Sequence, residues 1–458
     1  MLKLMYQQSN IIFKYALYSV IILLISGCST VERGWEKTSN MFSRKKPASI
    51  TKAVNDSRID VMSYTRRIML DEGALENAQL AKAEPVSRWN QEGGNATQQK
   101  GHIQGSFLNN IAQKAKAGDG NDWIISSHAP SPVISDQAVI VMDGRGIITA
   151  HQRKNIKKKL WRSAAIKTKT PMLIGGLATN NQLVFASNAK GIISALDITD
   201  GHIVWKRDLG FPLRSSLRYD RGEIFVLTAS SELIALSAQD GSLLWQHRGS
   251  DIESGIFGST LPAISSNSVL VGYPSGELYR LDRTTGQVVW ADIIQNSAAF
   301  SAINDLTGMD ANPVITERLV IAGNSNGMMI ANSAESGSRL WQQELGITHA
   351  PWVSIDALYA VSHDGNLSAH DTNTGIMAWF KKLRFKSKGK IISARYYGPF
   401  LLNKTLVALD NAGYIHQLSL DGAEIRYDAL IPSLASSPAF IDDTAYMMSY
   451  GATLYQVQ

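Results

Sequence analysis

The stretch Gly175–Trp205, GGLATNNQLVFASNAKGIISALDITDGHIVW, most constrains what this chain can become, because its pattern returns until the chain ends. Leu183–Ala186 and Ile192–Leu196 are short alternating runs joined through a polar turn at Asn188–Gly191, and His202–Trp205 is a third run after a tighter turn. In that tighter turn Asp197 offers carboxylate oxygens to the N–H groups that follow it, and Gly201 takes a positive φ that a β-carbon resists. Trp205 then falls on the outermost strand of a four-stranded unit, where an indole fills the gap to the neighbouring unit.

The same pattern recurs at Gln239–Trp245, Asp282–Trp290, Ser333–Trp341 and Asp371–Trp379, and a degraded copy ends at Trp161. These tryptophans are separated by 44, 40, 45, 51 and 38 residues, the length of a propeller blade. Two further units lack the tryptophan: Tyr396–Tyr427, with Asp421-Gly422 at its turn, and a truncated Ser436–Gln458. The fold class expected is therefore all-β, an eight-bladed propeller of four-stranded blades over residues 87–458. The last unit stops without its outer strand, so a segment before residue 131 must supply it, and Phe107–Ala117 is the best candidate; a ring closed by its two ends leaves no open sheet edge.

Ahead of the repeats the chain changes character. Residues 1–27 hold Lys3 and Lys14, no acid, and an apolar run from Tyr15 that is short for a membrane span and ends in small residues, as a secretory signal does. It closes with Ile25-Ser26-Gly27-Cys28, which resembles the bacterial lipobox. Cys28 is the sole cysteine of the chain, so an exported protein gains nothing from this thiol except an acyl attachment point. By resemblance to bacterial sorting rules, Ser29 in the next position favours the outer membrane. Residues 28–86 read as a polar tether, in which 57–82 is either a short helix docking on a partner or, as favoured here, a solvated spacer.

A lipobox, a polar tether, a Trp89-x-Gln-x-Gly-Gly-Asn lead-in and eight repeats of the pyrroloquinoline-quinone type together resemble the BamB family, lipoproteins of the bacterial β-barrel assembly machinery. The resemblance covers nearly the whole chain. The repeat by itself also marks quinoprotein dehydrogenases, so the combination carries the resemblance. It implies a non-enzymatic scaffold on the periplasmic face of the outer membrane. It also implies binding to the barrel-forming subunit BamA, alongside other assembly-complex lipoproteins, and assistance to outer-membrane protein insertion. The alternative is an envelope enzyme or small-ligand-binding module built on the same propeller.

The residues themselves speak against chemistry. No cysteine pair exists, and the intervals between repeats leave little room for the insertions that build a cofactor pocket. The nine histidines show no metal-binding spacing. Single carboxylates in turns such as Asp240-Gly241 and Asp421-Gly422 supply too few oxygens for calcium. Gly144-Arg145-Gly146 reads as a hairpin bend, since no helix follows to hold a phosphate. No catalytic residue, metal or cofactor is therefore expected. The net charge of +6 is mild, but it is concentrated in Arg153–Arg162 and Lys381–Lys390. Either cluster suits anionic lipid or an acidic partner, although a solvated rim is the simpler reading. Export sets nucleic acid aside.

The resemblance also places a partner surface. The longest interval, Trp290 to Trp341, has its surplus in 297–310, and a lengthened loop among minimal ones is where a propeller is elaborated. In the family this loop carries Asp-x-Asp and the preceding blade's loop carries Leu-x-Leu-Arg-Gly, both resembling elements that face BamA. Here Asp310 matches the second Asp, Gly308 replaces the first, and Asp305 stands nearby; the other motif reads Ser254-Gly-Ile256-Phe257-Gly258, without its arginine. Ile256, Phe257, Asp305, Met309 and Asp310 are the implied contacts, with Phe257 burial outweighing any ion pair. The competing reading makes Phe257 and Asp310 ordinary residues leading into their strands.

Overall fold

Eight sheets make up the blades, each built on four antiparallel strands, as the spacing requires; the sheet of Tyr396–Ala429 is extended to six by two short strands, Glu84–Pro85 and Ile103–Gln104, added in parallel. The structure, a computed structural model, describes residues 70–99, 101–105, 110–118, 129–172, 174–250, 260–294, 308–309, 311–325 and 327–458. Strands of five or six residues dominate, and no helix occurs among the described residues. The inner strands are Val133–Ile134, Gly175–Thr179, Arg218–Asp220, Ala263–Ile264, Val314–Ile315, Trp352–Val353, Tyr396–Leu402 and Ala439–Ile441. Neighbouring blades stack against one another, and blade 8 lies beside blade 1, so the middle two strands of each blade are buried on both faces. Their continuous apolar runs, such as Ala138–Met142 and Leu319–Asn324, follow from that double burial.

The eighth blade closes as expected. Ile111–Lys116 pairs antiparallel with Thr453–Val457, so the first and last strands of the ring share one sheet. Of the expected segment Phe107–Ala117, residues 107–109 lie outside the described residues.

The repeated Asp, Gly and Trp form one joint, used six times. The Trp205 indole donates to Ala238 O of blade 3 (3.0 Å); Trp245 donates to Arg283 O (2.7 Å), Trp290 to Ala334 O (3.1 Å) and Trp341 to Thr372 O (3.0 Å). Each ring lies on the turn glycine of the next blade. A β-carbon at Gly286 would stand 2.6 Å from the Trp245 ring, and one at Gly337 would stand 2.6 Å from Trp290. The glycine is thus required twice: for its positive φ, 71° at Gly286, and for the room it leaves the indole. Where the turn carries the aspartate, its carboxylate works as foreseen. Asp282 accepts from Thr284 N (3.0 Å) and Thr285 N (2.8 Å), and these bonds hold its carboxyl below the usual carboxylate range. Asp143 does the same for the bend at Gly144–Gly146, accepting from Arg145 N and Ile147 N at 2.9 Å each.

Part of the segment read as a tether is bound to the ring. Contacts with the ring are already made ahead of residue 87: Leu70 bridges Met377 of blade 6, Asp356 N of that blade donates to Gln79 O (3.2 Å), and Glu84–Pro85 pairs in parallel with Ile103–Gln104. Leu75, Leu80 and Val86 pack on the core, and their dilution among polar residues hid this. Residues 70–82 do not take the helical alternative weighed for 57–82. Their local bonds are turns of three-residue span, Asp71 O to Ala74 N and Gly73 O to Glu76 N, because the remaining polar groups are committed to blade 6. Residues 57–69 lie outside the described residues.

One buried histidine sets a pH limit on the fold. His370, in blade 6, donates from Nδ1 to Gly375 O (3.2 Å) and accepts at Nε2 from Ser368 Oγ (2.9 Å). Burial pushes its pKa down to about 4. The unfolded chain, with an ordinary histidine near 6.5, binds the proton more readily between those values, so acidification favours unfolding. His370 is therefore expected to destabilise the ring as pH falls from about 6.5 to 4, by up to about 3 kcal/mol. Urea melts across that range should show a shallower pH slope in His370→Gln; equal slopes would refute the assignment.

Candidate functional site

Residues of the inner strands carry N–H groups that their own sheets leave open, and one segment of the chain accepts from them. Residues 89–103 pass blade after blade in chain order. Trp89 O accepts from Ile134 N of blade 1 and Asn90 O from Thr179 N of blade 2, both at 2.8 Å. The Gln91 side chain exchanges two bonds with the Tyr219 backbone of blade 3 (3.0 and 3.1 Å). Ala96 O accepts from Ile264 N of blade 4 (2.8 Å) and Thr97 O from Ile315 N of blade 5 (3.1 Å). Gly101 O accepts the Trp352 indole of blade 6, and Ile103 O accepts from Asn403 N of blade 7 (3.0 Å). Trp89 meets Phe440 of blade 8 edge to face, 5.4 Å between centroids. This axial clasp touches every blade.

Its turn is built from Gly93 and Gly94, at φ 76° and 86°; a β-carbon on Gly94 would press to 3.1 Å from the Trp89 ring. Arg218 holds that turn from below. Its side chain is fully buried, and it donates to Glu92 O, to Asn95 O (3.4 Å) and to Pro262 O (3.2 Å). Burial lowers its pKa to about 10, with Glu92 opposing, so it remains charged at neutral pH. His102 adds a second staple, its Nδ1 donating to Ala81 O (2.8 Å) and its Nε2 accepting from Lys404 N (3.0 Å). The sequence had marked Trp89-x-Gln-x-Gly-Gly-Asn without a role for it. Arg218 lay outside that motif, and a charge at the first position of an inner strand was its signal.

Beside the clasp, lined by Glu92, Gln98, Asn312, His349, Arg395 and Tyr397, is a cavity of about 80 Å³. Ligand pockets run to about 300–1,000 Å³, so the space suits a few waters. Among the described residues one group of three potential metal ligands occurs, Asp197, Asp200 and His202. One oxygen of each carboxylate is engaged within the turn: Asp197 Oδ1 accepts from Thr199 N (2.7 Å), and Asp200 Oδ1 accepts from His202 N (3.0 Å) and from His202 Nδ1 (2.7 Å). The cluster stitches a turn.

The expected partner residues divide. Cys28, Ile256, Phe257, Asp305 and Asp310 lie outside the described residues. Met309 is buried, 2% exposed, so it offers no contact surface; its thioether lies over Gly272, where a β-carbon would be 2.6 Å away, and its N–H donates to Tyr273 O (3.3 Å). It anchors the end of the 297–310 segment. Gly308 has a reason of its own: a β-carbon there would stand 2.8 Å from Pro274 O. The aspartate of the family pattern does not fit at this position. The connections 251–259 and 295–307, which hold most of the other expected contacts, lie outside the described residues.

A ring of eight repeat-built blades, closed by a two-ended blade and threaded by its own N-terminal segment, defines a propeller of the pyrroloquinoline-quinone-repeat class. The chain belongs to the family of the outer membrane protein assembly factor BamB, whose family model matches residues 144–381. It is similar to the BamB of Yersinia pestis, 23% identical over 333 residues covering 71% of this chain and 83% of that protein. The BamB of Escherichia coli K12 is 22% identical, covering 61% and 83%. In structure it is similar to BamB from Moraxella catarrhalis, with a TM-score of 0.64 at 19% identity over 76% of this chain and 99% of that one. A europium-containing methanol dehydrogenase shares the fold at 10% identity, with a TM-score of 0.60 over 80% and 89%.

Proposed function

We propose that this chain is a non-enzymatic scaffold of outer-membrane protein assembly, held at the periplasmic face of the outer membrane by lipid on Cys28 and binding a BamA-like barrel subunit. The observation that carries this reading is the axial clasp: the chain's own segment crosses the ring where an enzyme of this class would need an open pocket, leaving about 80 Å³. Membership of the BamB family supports the assembly role. With Met309 turned inward, the contact surface is formed by Ile256, Phe257, Asp305 and Asp310 on the connecting loops. An apolar anchor ringed by polar groups commonly dominates such an interface.

Two outcomes are expected. Phe257→Ala combined with Asp310→Ala reduces capture of the BamA-like subunit at least about tenfold, the loss expected of a dominant anchor, with an unchanged thermal melt. Undiminished capture removes the site, and lost capture with a collapsed melt leaves only a structural role. Cys28→Ala moves the protein from the membrane to the soluble fraction with the ring intact, because the described contacts of this segment with the ring lie at residue 70 and beyond. Palmitate labelling that persists in this variant would exclude Cys28 as the anchor.

A further inference from the structure

The connection from blade 6 to blade 7 is a built hairpin with an unusual surface. Leu383 and Ile391 are buried, and Phe385 packs against the core. Lys388 and Ile391 exchange backbone bonds of 3.0 Å each across a tight turn with Gly389 at φ 59°. With those apolar side chains inward, Lys386, Lys388 and Lys390 stand exposed, and Ile392 is 81% exposed, the highest value among the exposed large hydrophobics. Lys381 and Phe380, 57% exposed, continue this surface down the outer strand of blade 6. From Thr372 to Leu409 the chain holds eight lysines and arginines and no acid. Local acceptors engage only part of that charge: Glu424 takes Arg384 (2.6 Å), and the Asp364 carbonyl takes Lys382.

We propose that this hairpin docks the propeller on an anionic phospholipid surface. Lysine ammonium groups spread beside exposed apolar side chains match a layer of headgroup phosphates over acyl chains, whereas a folded acidic partner is more often met by forked arginines. The second observation is where the anchor side of the chain arrives. Leu70 bridges Met377, and Asp71 N donates to Met377 O (2.9 Å), on the same outer strand that leads into the hairpin. Leu70 and Asp71, on the anchor side of the ring-bound segment, therefore lie on this blade, a point whose bearing on the membrane rests on the lipid anchor proposed above.

The test uses the full lipidated chain with Ser387→Cys as its one free thiol, carrying a bimane fluorophore, in vesicles of brominated phospholipid. Lys190→Cys, across the ring in blade 2, is the reference label. In vesicles containing phosphatidylglycerol, quenching at 387 is expected to exceed that at 190 at least threefold. The excess should vanish in phosphatidylcholine, in 0.5 M salt, and when Lys381, Lys386, Lys388 and Lys390 are all changed to Gln. Equal quenching at both labels in anionic vesicles overturns the proposal, as does an excess that persists in phosphatidylcholine or appears only when the BamA-like subunit is added. Mass spectrometry of Cys28 examines the anchor separately, so an unacylated cysteine is distinguished from a hairpin that does not meet lipid.

Discussion

Replacing Arg218 with alanine is expected to cost the ring about 3–5 kcal/mol, the range for breaking a buried charged interaction. The guanidinium is fully buried and serves carbonyls from three places, Glu92 and Asn95 on the clasp and Pro262 at the head of blade 4. Removing it leaves those oxygens without their donor in a space closed to water, and each unsatisfied group costs about 1–3 kcal/mol. Arg218→Met separates the causes: it restores apolar volume but leaves the carbonyls bare, so most of the loss should remain. Arg218→Lys keeps the charge without the planar fork and should fall between. Denaturant melts give the energies, and limited proteolysis within residues 89–103 reports release of the clasp. A melt within about 1 kcal/mol of the parent, with the clasp still protected, would show that the arginine is not what holds it.

Trp290→Ala is expected to cost about 3–5 kcal/mol, as aromatic truncations in cores do. The indole belongs to blade 4, yet it covers Gly337 and donates to Ala334 O of blade 5 (3.1 Å), so its removal opens a cavity between two blades. In a ring whose blades share buried faces, the loss should appear as one cooperative transition moved to lower denaturant. Trp290→Phe should cost about 1–2 kcal/mol, keeping most of the ring contact and losing the hydrogen bond. Gly337→Ala approaches the same joint from the other side. Its β-carbon meets the indole at 2.6 Å and its φ is 75°, so a loss of at least about 1–3 kcal/mol is expected from the backbone conformation alone. If Trp290→Ala cost under about 1 kcal/mol, the blades would not be coupled through this residue.

Much of this architecture was legible because a repeat writes the same local rule many times. Alternating runs, an aspartate and glycine at one turn, and a tryptophan on a steady beat define a four-stranded blade wherever they occur. The number of beats and the missing final strand then implied a ring closed by the chain's own N-terminal part. The loop residues could be placed only by resemblance, since nothing local separates a contact residue from one leading into a strand. Met309 shows the consequence: it sits within the family's contact motif and is packed inward against Gly272.

What the sequence determined alone was the blade, the count of eight, and the turn chemistry of Asp282 and its counterparts, because these depend on residues within a few positions of one another. The tertiary structure decided the rest. One extra residue in each outer strand from blade 2 to blade 6, where the register slips before Trp205, Trp245, Trp290, Trp341 and Trp379, re-aims the indole onto the next blade's glycine. The second reason for that glycine therefore lies some forty residues away in the chain. The clasp was equally hidden. Gln91 meets Tyr219 and Trp352 meets Gly101 only because the closed ring brings its inner strands, with backbone groups still to satisfy, within reach of one segment.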